Sequence, residues 1–326
     1  MKRVFVVGGS GYVGSQLVAR LLEESYYVTV YDLMIYGNNL PKNKPNLKTI
    51  VGDIRNLKKL NEVLKDQDIV IHLACVSNDP SFELNPILAK DINFSCFEPL
   101  IQTCKNLGIK KFIYASSSSV YGIKEEKEVN EDSLLEPLSD YSIYKSKCED
   151  ILLNYTDNNF IGTVLRPATV CGYSPRQRLD LVVNILVNYA YHLKKIEVFG
   201  GNQLRPNIHI QDMVDAYLCV MVSDINKIKD QIFNVGFENY AVKDLALMVK
   251  KNVGNEVKII FKETKDDRSY HISSKKISKL LGFIPKRSID EAVKDLIYSF
   301  REKILINTFN DDNFYNIKKM QKVKLV

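Results

Sequence analysis

Four glycines within seven residues, Gly8-Gly9-Ser10-Gly11-Tyr12-Val13-Gly14, stand between a short apolar run (RVFVV, residues 3–7) and a helix-period stretch over residues 13–22. Glycine lets a chain turn tightly and lets backbone come into contact with a ligand. A strand that ends in such a turn and feeds a helix presents free N–H groups at the positive end of a helix dipole, a natural seat for a phosphate. Read from Gly9 the segment fits G-x-G-x-x-G, and its place after a strand and before a helix gives that pattern its force. Eighteen residues past Gly14, Asp32 closes the next apolar run, YVTVYD. A carboxylate there can accept both hydroxyls of an adenosine ribose and repels a 2′-phosphate, so the pair of features predicts NAD in preference to NADP.

The rhythm around this turn sets the fold class. From residue 3 to residue 166, apolar runs (RVFVV, YVTVYD, LKTIV, DIVIHLA, KFIYA, FIGTVLR) alternate with stretches of helical period, notably residues 85–107 and 141–155. Strands without clean polar alternation, each followed by a helix, require a parallel sheet covered on both faces. The expectation is an α/β fold, a doubly wound parallel sheet of the Rossmann type over residues 1–166. After Arg166 the rhythm breaks into loops rich in Pro, Arg and Gly. Residues 167–306 read as a smaller α/β substrate lobe, able to exchange elements with the first. It carries a helix near 242–252, a strand EVKIIF and a last helix near 289–303. Residues 307–326, polar and aperiodic, read as a tail.

Composition excludes several classes of function. The 326 residues carry a formal charge of +6, spread along the chain except near Lys318 to Lys324, which is too dilute for a nucleic-acid stripe but suits an anionic small substrate. Six cysteines form no C-x-x-C pair and four histidines stand singly, so no metal site is expected and the thiols read as reduced in a cytoplasmic protein. No apolar run is long enough to span a bilayer, and glycines break the first one after five residues.

Two further segments carry chemistry. YASSSSVYG (residues 114–122) follows the run KFIYA, and Tyr141-Ser-Ile-Tyr-Lys145 opens a helix-period stretch. Tyr141 and Lys145, four apart, share one face of a helix. An ammonium beside a phenol stabilises the phenolate, which makes tyrosine a usable general base near neutral pH. Y-x-x-x-K alone is common amphipathic packing. Together with the glycine turn and a serine cluster 24 residues upstream, that bland reading loses its ground.

At this point the sequence resembles the extended short-chain dehydrogenases, specifically the nucleotide-sugar epimerases and dehydratases. The resemblance runs from about residue 2 to residue 300 through GGSGYVG, VGDIR, HLACVSNDP, Asn93, YASSSSVYG, YSIYKSK, LRPATVCG, LRPNIHIQD, FNVG, DDRSY and LGFIP. It implies Ser117, Tyr141 and Lys145 as the catalytic set. It implies coenzyme contacts from Gly8, Gly11, Tyr12, Val13, Gly14, Asp32, Asp53, Ile54, Leu73, Ala74, Ser77, Tyr141, Lys145 and Pro167. On the substrate side it points to Ser117, Ser118 and Thr169, with Arg205 and Arg268 at positions that grip a diphosphate. Thr169 replaces the family's usual asparagine, and Arg176 and Arg178 add two cations in a loop facing the same cleft. His209 and Asp212 read as structural. A homodimer or higher homo-oligomer, formed through the helices over residues 85–107 and 141–155, is also implied.

The implied partner is a nucleoside-diphosphate sugar, and the implied step is oxidation of a ring hydroxyl, at C4, to a ketone. Dehydratases of this group carry Asp and Glu directly after the catalytic serine or threonine, where this chain has Ser118 and Ser119. That leaves a 4-dehydrogenase or the first half of a 4-epimerase. SNDPSF and GYSPRQRLDLVVN resemble a branch serving bacterial surface polysaccharides such as capsule, for which a GDP-heptose 4-dehydrogenase is the suggested activity. The alternatives are a nucleotide-sugar reductase and a catalytically silent NAD-binding regulator, though a silent protein typically loses the Tyr or Lys present here.

Overall fold

The computed structural model describes residues 2–124, 126, 128–264, 269 and 271–323. The first half forms strands β1 (Arg3–Val7), β2 (Tyr27–Asp32), β3 (Leu47–Val51), β4 (Ile69–His72), β5 (Lys111–Ala115) and β6 (Ile161–Pro167). Helices α1 (Tyr12–Glu23), α2 (Leu57–Val63), α3 (Asp79–Glu83), α4 (Pro86–Lys90), α5 (Phe97–Asn106) and α6 (Asp140–Tyr155) lie between them. The second half adds β7 (Thr169–Cys171), α7 (Val182–Leu193), β8 (Lys195–Phe199), β9 (Leu204–His209), α8 (Ile210–Val222), α9 (Ile225–Ile228) and β10 (Gln231–Val235). It ends with β11 (Glu238–Ala241), α10 (Val242–Val253), β12 (Lys258–Lys262), α11 (Lys275–Leu281), α12 (Ile289–Arg301) and α13 (Asn316–Lys322).

Seven parallel strands form the central sheet in the order β10-β6-β5-β4-β1-β2-β3. The side chains of β1, β4, β5 and β6 are buried on both faces, as helices on both sides require, whereas the edge strand β3 is largely exposed. In β1, Val4 and Val6 enter one core with Leu17 of α1 and Met213 of α8. Phe5 and Val7 enter the other with Phe97 of α5 and Phe112 of β5. Each such side chain contributes about 1.5–3 kcal/mol through burial. The chain runs outward through β1, β2 and β3 and then returns to place β4 on the far side of β1. That reversal leaves a crevice at the carboxyl ends of β1 and β4, the usual ligand position in an open α/β sheet.

The change of rhythm after Arg166 marks a third apolar cluster, built from α7, α10 and α12 around β8, beside a three-stranded sheet β11-β9-β7. The second half also returns β10 to the central sheet, where it pairs with β6. His209 caps α8, accepting from the N–H of Gln211 at 3.1 Å, and Asp212 pairs with Arg287 at 2.7 Å.

Two segments depart from their sequence patterns. Residues 85–107 are broken by a π-helical turn at Asp91–Ser95. There the Asn93 amide exchanges hydrogen bonds with Val76 N and O at 2.8 and 3.0 Å, satisfying backbone beyond the end of β4 that has no strand partner. The final segment, which reads as a tail, instead folds back. It forms a 3-10 turn at Asp312–Phe314 and then α13, and the Phe314 carbonyl accepts from the N–H of Leu179 at 2.9 Å. Asn316 and Lys322 find partners within the protein, at Arg176, Ser77 and Asp312, a pairing invisible to periodicity. Among the described residues no helix is long and apolar enough to cross a membrane.

One ion pair ties the sheet's end to α6. Arg166 on β6 meets Glu149 on α6 at 2.6 Å with both side chains almost fully buried. Arg166 Nη1 donates to Tyr121 Oη at 2.8 Å, and Tyr121 Oη donates to Asn234 on β10 at 2.7 Å. Ser116 Oγ donates to the same Glu149 carboxylate. Glu149→Ala leaves a buried guanidinium without its counter-charge and is expected to lower unfolding free energy in urea by about 3–5 kcal/mol. A loss below about 1 kcal/mol, the range of an exposed pair, would show that the pair is not desolvated as described.

Candidate active site

A cavity of about 400 Å³ opens at the carboxyl ends of the central strands and runs from Asp32 and Tyr36 to Ser117 and Tyr141. Its floor is the glycine turn. Gly8 holds φ +81°, and a Cβ there would lie 2.6 Å from Ala74 N. A Cβ on Gly14 would lie 2.5 Å from Gly8 O. These two positions require glycine for the fold itself. Gly11 is different, since a Cβ there would meet only Gly8 O, at 3.2 Å, and would otherwise project toward the channel. The turn is thus a cradle of bare backbone at the start of α1, suited to a pyrophosphate.

Asp32 stands at the end of β2 with its carboxylate oriented by two backbone donors, Ser10 N at 2.9 Å and Met34 N at 2.7 Å. Burial raises its pKa, against those two hydrogen bonds and the charge of Arg176. Each oxygen accepts one bond from the backbone and keeps a lone pair for a ribose hydroxyl. Ile54, Leu73, Ala74 and Ser77 continue the wall, and Pro167 and Thr169 close it at the end of β6.

At the far end, Ser139 caps α6 with a capping box, which sets Tyr141 in the helix's first turn and Lys145 one turn later. Lys145 Nζ donates to Ala115 O at 2.5 Å and stands 5.8 Å from the Tyr141 ring centroid. Ser117 Oγ lies 2.8 Å from Ser119 Oγ and accepts from Ser119 N at 3.1 Å. Burial pushes the Tyr141 phenol well above its usual pKa, with Cys75 and Asp79 adding to the rise. The Arg178 guanidinium and a hydrogen bond with Ser117 oppose it.

The cavity therefore gathers Gly8, Gly11, Tyr12, Val13, Gly14, Asp32, Ile54, Leu73, Ala74, Ser77, Ser117, Ser118, Tyr141, Lys145, Pro167, Thr169, Arg176 and Arg178. Two named residues are not brought to its wall. Asp53 turns its carboxylate to Arg55, two residues on, at 2.6 Å. Arg205 sits on β9 opposite Tyr240 and donates to Leu204 O at 3.1 Å. Arg268 lies outside the described residues. The Tyr12 hydroxyl points away from the channel to Gly172 O at 2.7 Å, fastening the second lobe to α1.

Several residues on the wall had no sequence signal. Asn316 and Met320 arrive from α13, Tyr36 and Cys75 from loops, and Asp79 from the start of α3. Asp79 accepts from the helix-capping Ser139 Oγ at 2.5 Å. Among the described residues no three His, Cys, Asp or Glu side chains gather to hold a metal ion.

Comparison with known proteins bears on this geometry. The model of the NAD dependent epimerase/dehydratase family matches residues 4–236. The UDP-glucose 4-epimerase of Lactobacillus helveticus is 27% identical over 316 residues, 90% of this chain and 94% of that protein. The human dTDP-D-glucose 4,6-dehydratase is 29% identical over 343 residues, 98% of this chain and 93% of that protein. Among solved structures, the UDP-glucuronic acid 4-epimerase from Bacillus cereus, in complex with UDP-glucuronic acid and NAD, superposes with a TM-score of 0.82 at 26% identity, covering 92% of this chain and 99% of that one.

The two kinds of glycine in the turn separate experimentally. Gly11→Ala should weaken NAD binding at least about tenfold, or 1.4 kcal/mol, in titration calorimetry, while the coenzyme-free melting temperature stays within about 2 °C. Gly14→Ala should lower that melting temperature itself. Equal NAD affinity in Gly11→Ala would show that no pyrophosphate rests on the turn.

Proposed function

Because the chain belongs to the NAD-dependent epimerase/dehydratase family, we propose that it oxidises the C4 hydroxyl of a nucleoside-diphosphate sugar to a ketone and eliminates no water. The observation that carries this reading is the pair of residues after Ser117. Ser118 is buried and Ser119 holds its hydroxyl against Ser117, so no carboxyl group stands where a dehydratase keeps its acid and base. Among the described residues the carboxylates lining the cavity are Asp32 and Asp79, one at the opposite end and the other engaged in capping α6. The outcome is a 4-dehydrogenase or the first half of a 4-epimerase. We place it in the supply of sugars for bacterial surface polysaccharides, on the strength of SNDPSF and GYSPRQRLDLVVN, and in a homodimer formed through the helices over residues 85–107 and 141–155.

Each catalytic side chain has a defined part in this reading. Tyr141, as phenolate, takes the proton of the C4 hydroxyl, and Ser117 Oγ hydrogen-bonds the same oxygen. Lys145 fixes the end of β5 through Ala115 O and contributes positive potential beside the phenol, to which Arg178 adds a second cation. NAD supplies the hydride acceptor when bound. The exclusion of water from so buried a phenol strengthens each of these interactions.

Incubation with UDP-, GDP- and dTDP-sugars followed by borodeuteride trapping should place deuterium at C4 of one of them, without the mass loss of dehydration. A dehydrated product would overturn the reading. Tyr141→Phe should lower turnover about 10²–10⁴-fold yet retain NAD, whereas a silent regulator would keep its response. Arg178→Ala removes a cation that favours the phenolate, so the acid limb of kcat/KM should move to higher pH. A limb that stays put, or moves down, would remove Arg178 from the electrostatics of the base.

A further inference from the structure

Arg176 and Arg178 lie side by side in the loop that crosses the channel from the second lobe. Arg176 is 3% exposed, its guanidinium carbon 3.7 Å from the centroid of the Tyr36 ring. Arg178 pairs with Asp180 at 3.0 Å and donates to Ser77 Oγ at 3.3 Å. Arg176 Nε and Arg178 Nη2 are buried donors with no partner among the described residues. Burial and the charge of Arg178 both disfavour the cationic form of Arg176. Two neighbouring guanidinium groups with free donors, in a cavity whose walls remove water, call for an anion.

Their position selects which anion. The loop is bound to the start of α1 by hydrogen bonds, among them a pair of hydroxyls, Ser15 Oγ and Ser174 Oγ, 2.9 Å apart. Ser174 Oγ donates to Tyr12 O at 2.7 Å, Gln16 Nε2 donates to Tyr173 O at 3.0 Å, and Tyr12 Oη donates to Gly172 O at 2.7 Å. Arg176 stacks on Tyr36 beside the Asp32 end and Arg178 donates to Ser77 on the channel wall, with Arg176 acting electrostatically on Asp32 and Arg178 on Tyr141, so the pair reaches from the Asp32 end toward Tyr141. A dinucleotide laid from Asp32 to Tyr141 has its pyrophosphate in that middle stretch, over the glycine turn.

What holds the two cations there is Asn316, the first residue of α13. Its Oδ1 accepts from Arg176 Nη2 at 2.5 Å, and its Nδ2 donates to Ser77 Oγ at 2.7 Å. Its backbone N–H donates to Asp180 Oδ2 at 3.0 Å. One residue, 2% exposed, thus touches Arg176 and Ser77 through its side chain and Asp180 through its backbone. Met320, one turn further on, lines the same channel and packs on the core of the sheet.

We propose that Asn316 is the positioning residue of an anion clamp, in which Arg176 and Arg178 face the pyrophosphate of NAD from the side opposite the glycine turn, so that α13 sets how long the coenzyme stays bound. The proposal rests on the NAD reading of the channel. It differs from the sequence expectation that both arginines are added cations on the substrate side of the cleft.

The test is the release rate of NADH, followed by its fluorescence after dilution into excess NAD, with the sugar KM measured alongside. Asn316→Ala should release NADH about 10–100-fold faster, the loss of a hydrogen bond to a charged group, while the sugar KM stays within about twofold. A chain ending at Tyr315 should do the same, since it removes α13 but keeps the buried Tyr315 and Leu305. Asn316→Asp, which keeps an acceptor for Arg176, should fall between. An unchanged release rate, or a raised sugar KM with unchanged release, overturns the proposal. So does faster release matched by an equal loss of coenzyme-free thermal stability, the mark of a packing residue. A wild-type protein that binds no NADH would sink the coenzyme reading itself before any variant is compared.

Discussion

The catalytic end of the channel depends on the buried pair of Arg166 and Glu149. Removing two charges from water costs several kcal/mol per ion, and attraction between them recovers little beyond that. The benefit is geometric. Glu149 binds Ser116, the neighbour of Ser117, while Arg166 reaches Tyr121 and, through it, Asn234. The ends of β5, β6 and β10 are thereby held in one relation to α6. On that helix Tyr141, Lys145 and Glu149 follow at intervals of four, one above the other on the inner face. The residue that anchors the helix and the two proposed to do chemistry from it share one stripe.

This arrangement explains what could be read from the chain and what could not. The glycine turn, Asp32 and the parallel strands were legible because local periodicity and spacing dictate them. The inner face of α6 is Ser142, Lys145, Cys148, Glu149 and Leu152, too polar to announce itself as amphipathic, so its start was found through Y-x-x-x-K. Asn316 was hidden because its partners lie 239 residues away at Ser77 and 140 away at Arg176, and no spacing rule spans such distances. Asp53 illustrates a different departure. Its motif pointed to the channel, yet an arginine two residues later offers a closer, two-pronged partner. Arg205 likewise carries a family position while β9 holds it away from the cavity wall.

The charge that matters is local. A formal +6 over the whole chain says only that an anionic ligand is not repelled. Within the channel, a carboxylate stands at one end, two guanidinium groups in the middle and a phenol with a lysine at the other, an order that follows the chemical sequence of a dinucleotide from ribose to pyrophosphate to nicotinamide. Fixed charges in such a site do their work without reorganising, because the loop bearing them is bound to α1 and to α13 before any ligand arrives.

The same fastening bears on the fate of the ketone. An enzyme that returns the hydride to the opposite face of the sugar must keep its reduced coenzyme through the turn of the intermediate, whereas one that releases the ketone must have that coenzyme reoxidised. In the first case slow release is a condition of the reaction. In the second it limits turnover unless reoxidation happens in place. Under the proposed clamp, residues 172–180 and α13 therefore bear on which outcome results, as Tyr141 does. In the reaction proposed above, the missing carboxylates after Ser117 bar elimination, and the residence time of the coenzyme divides the reactions that remain.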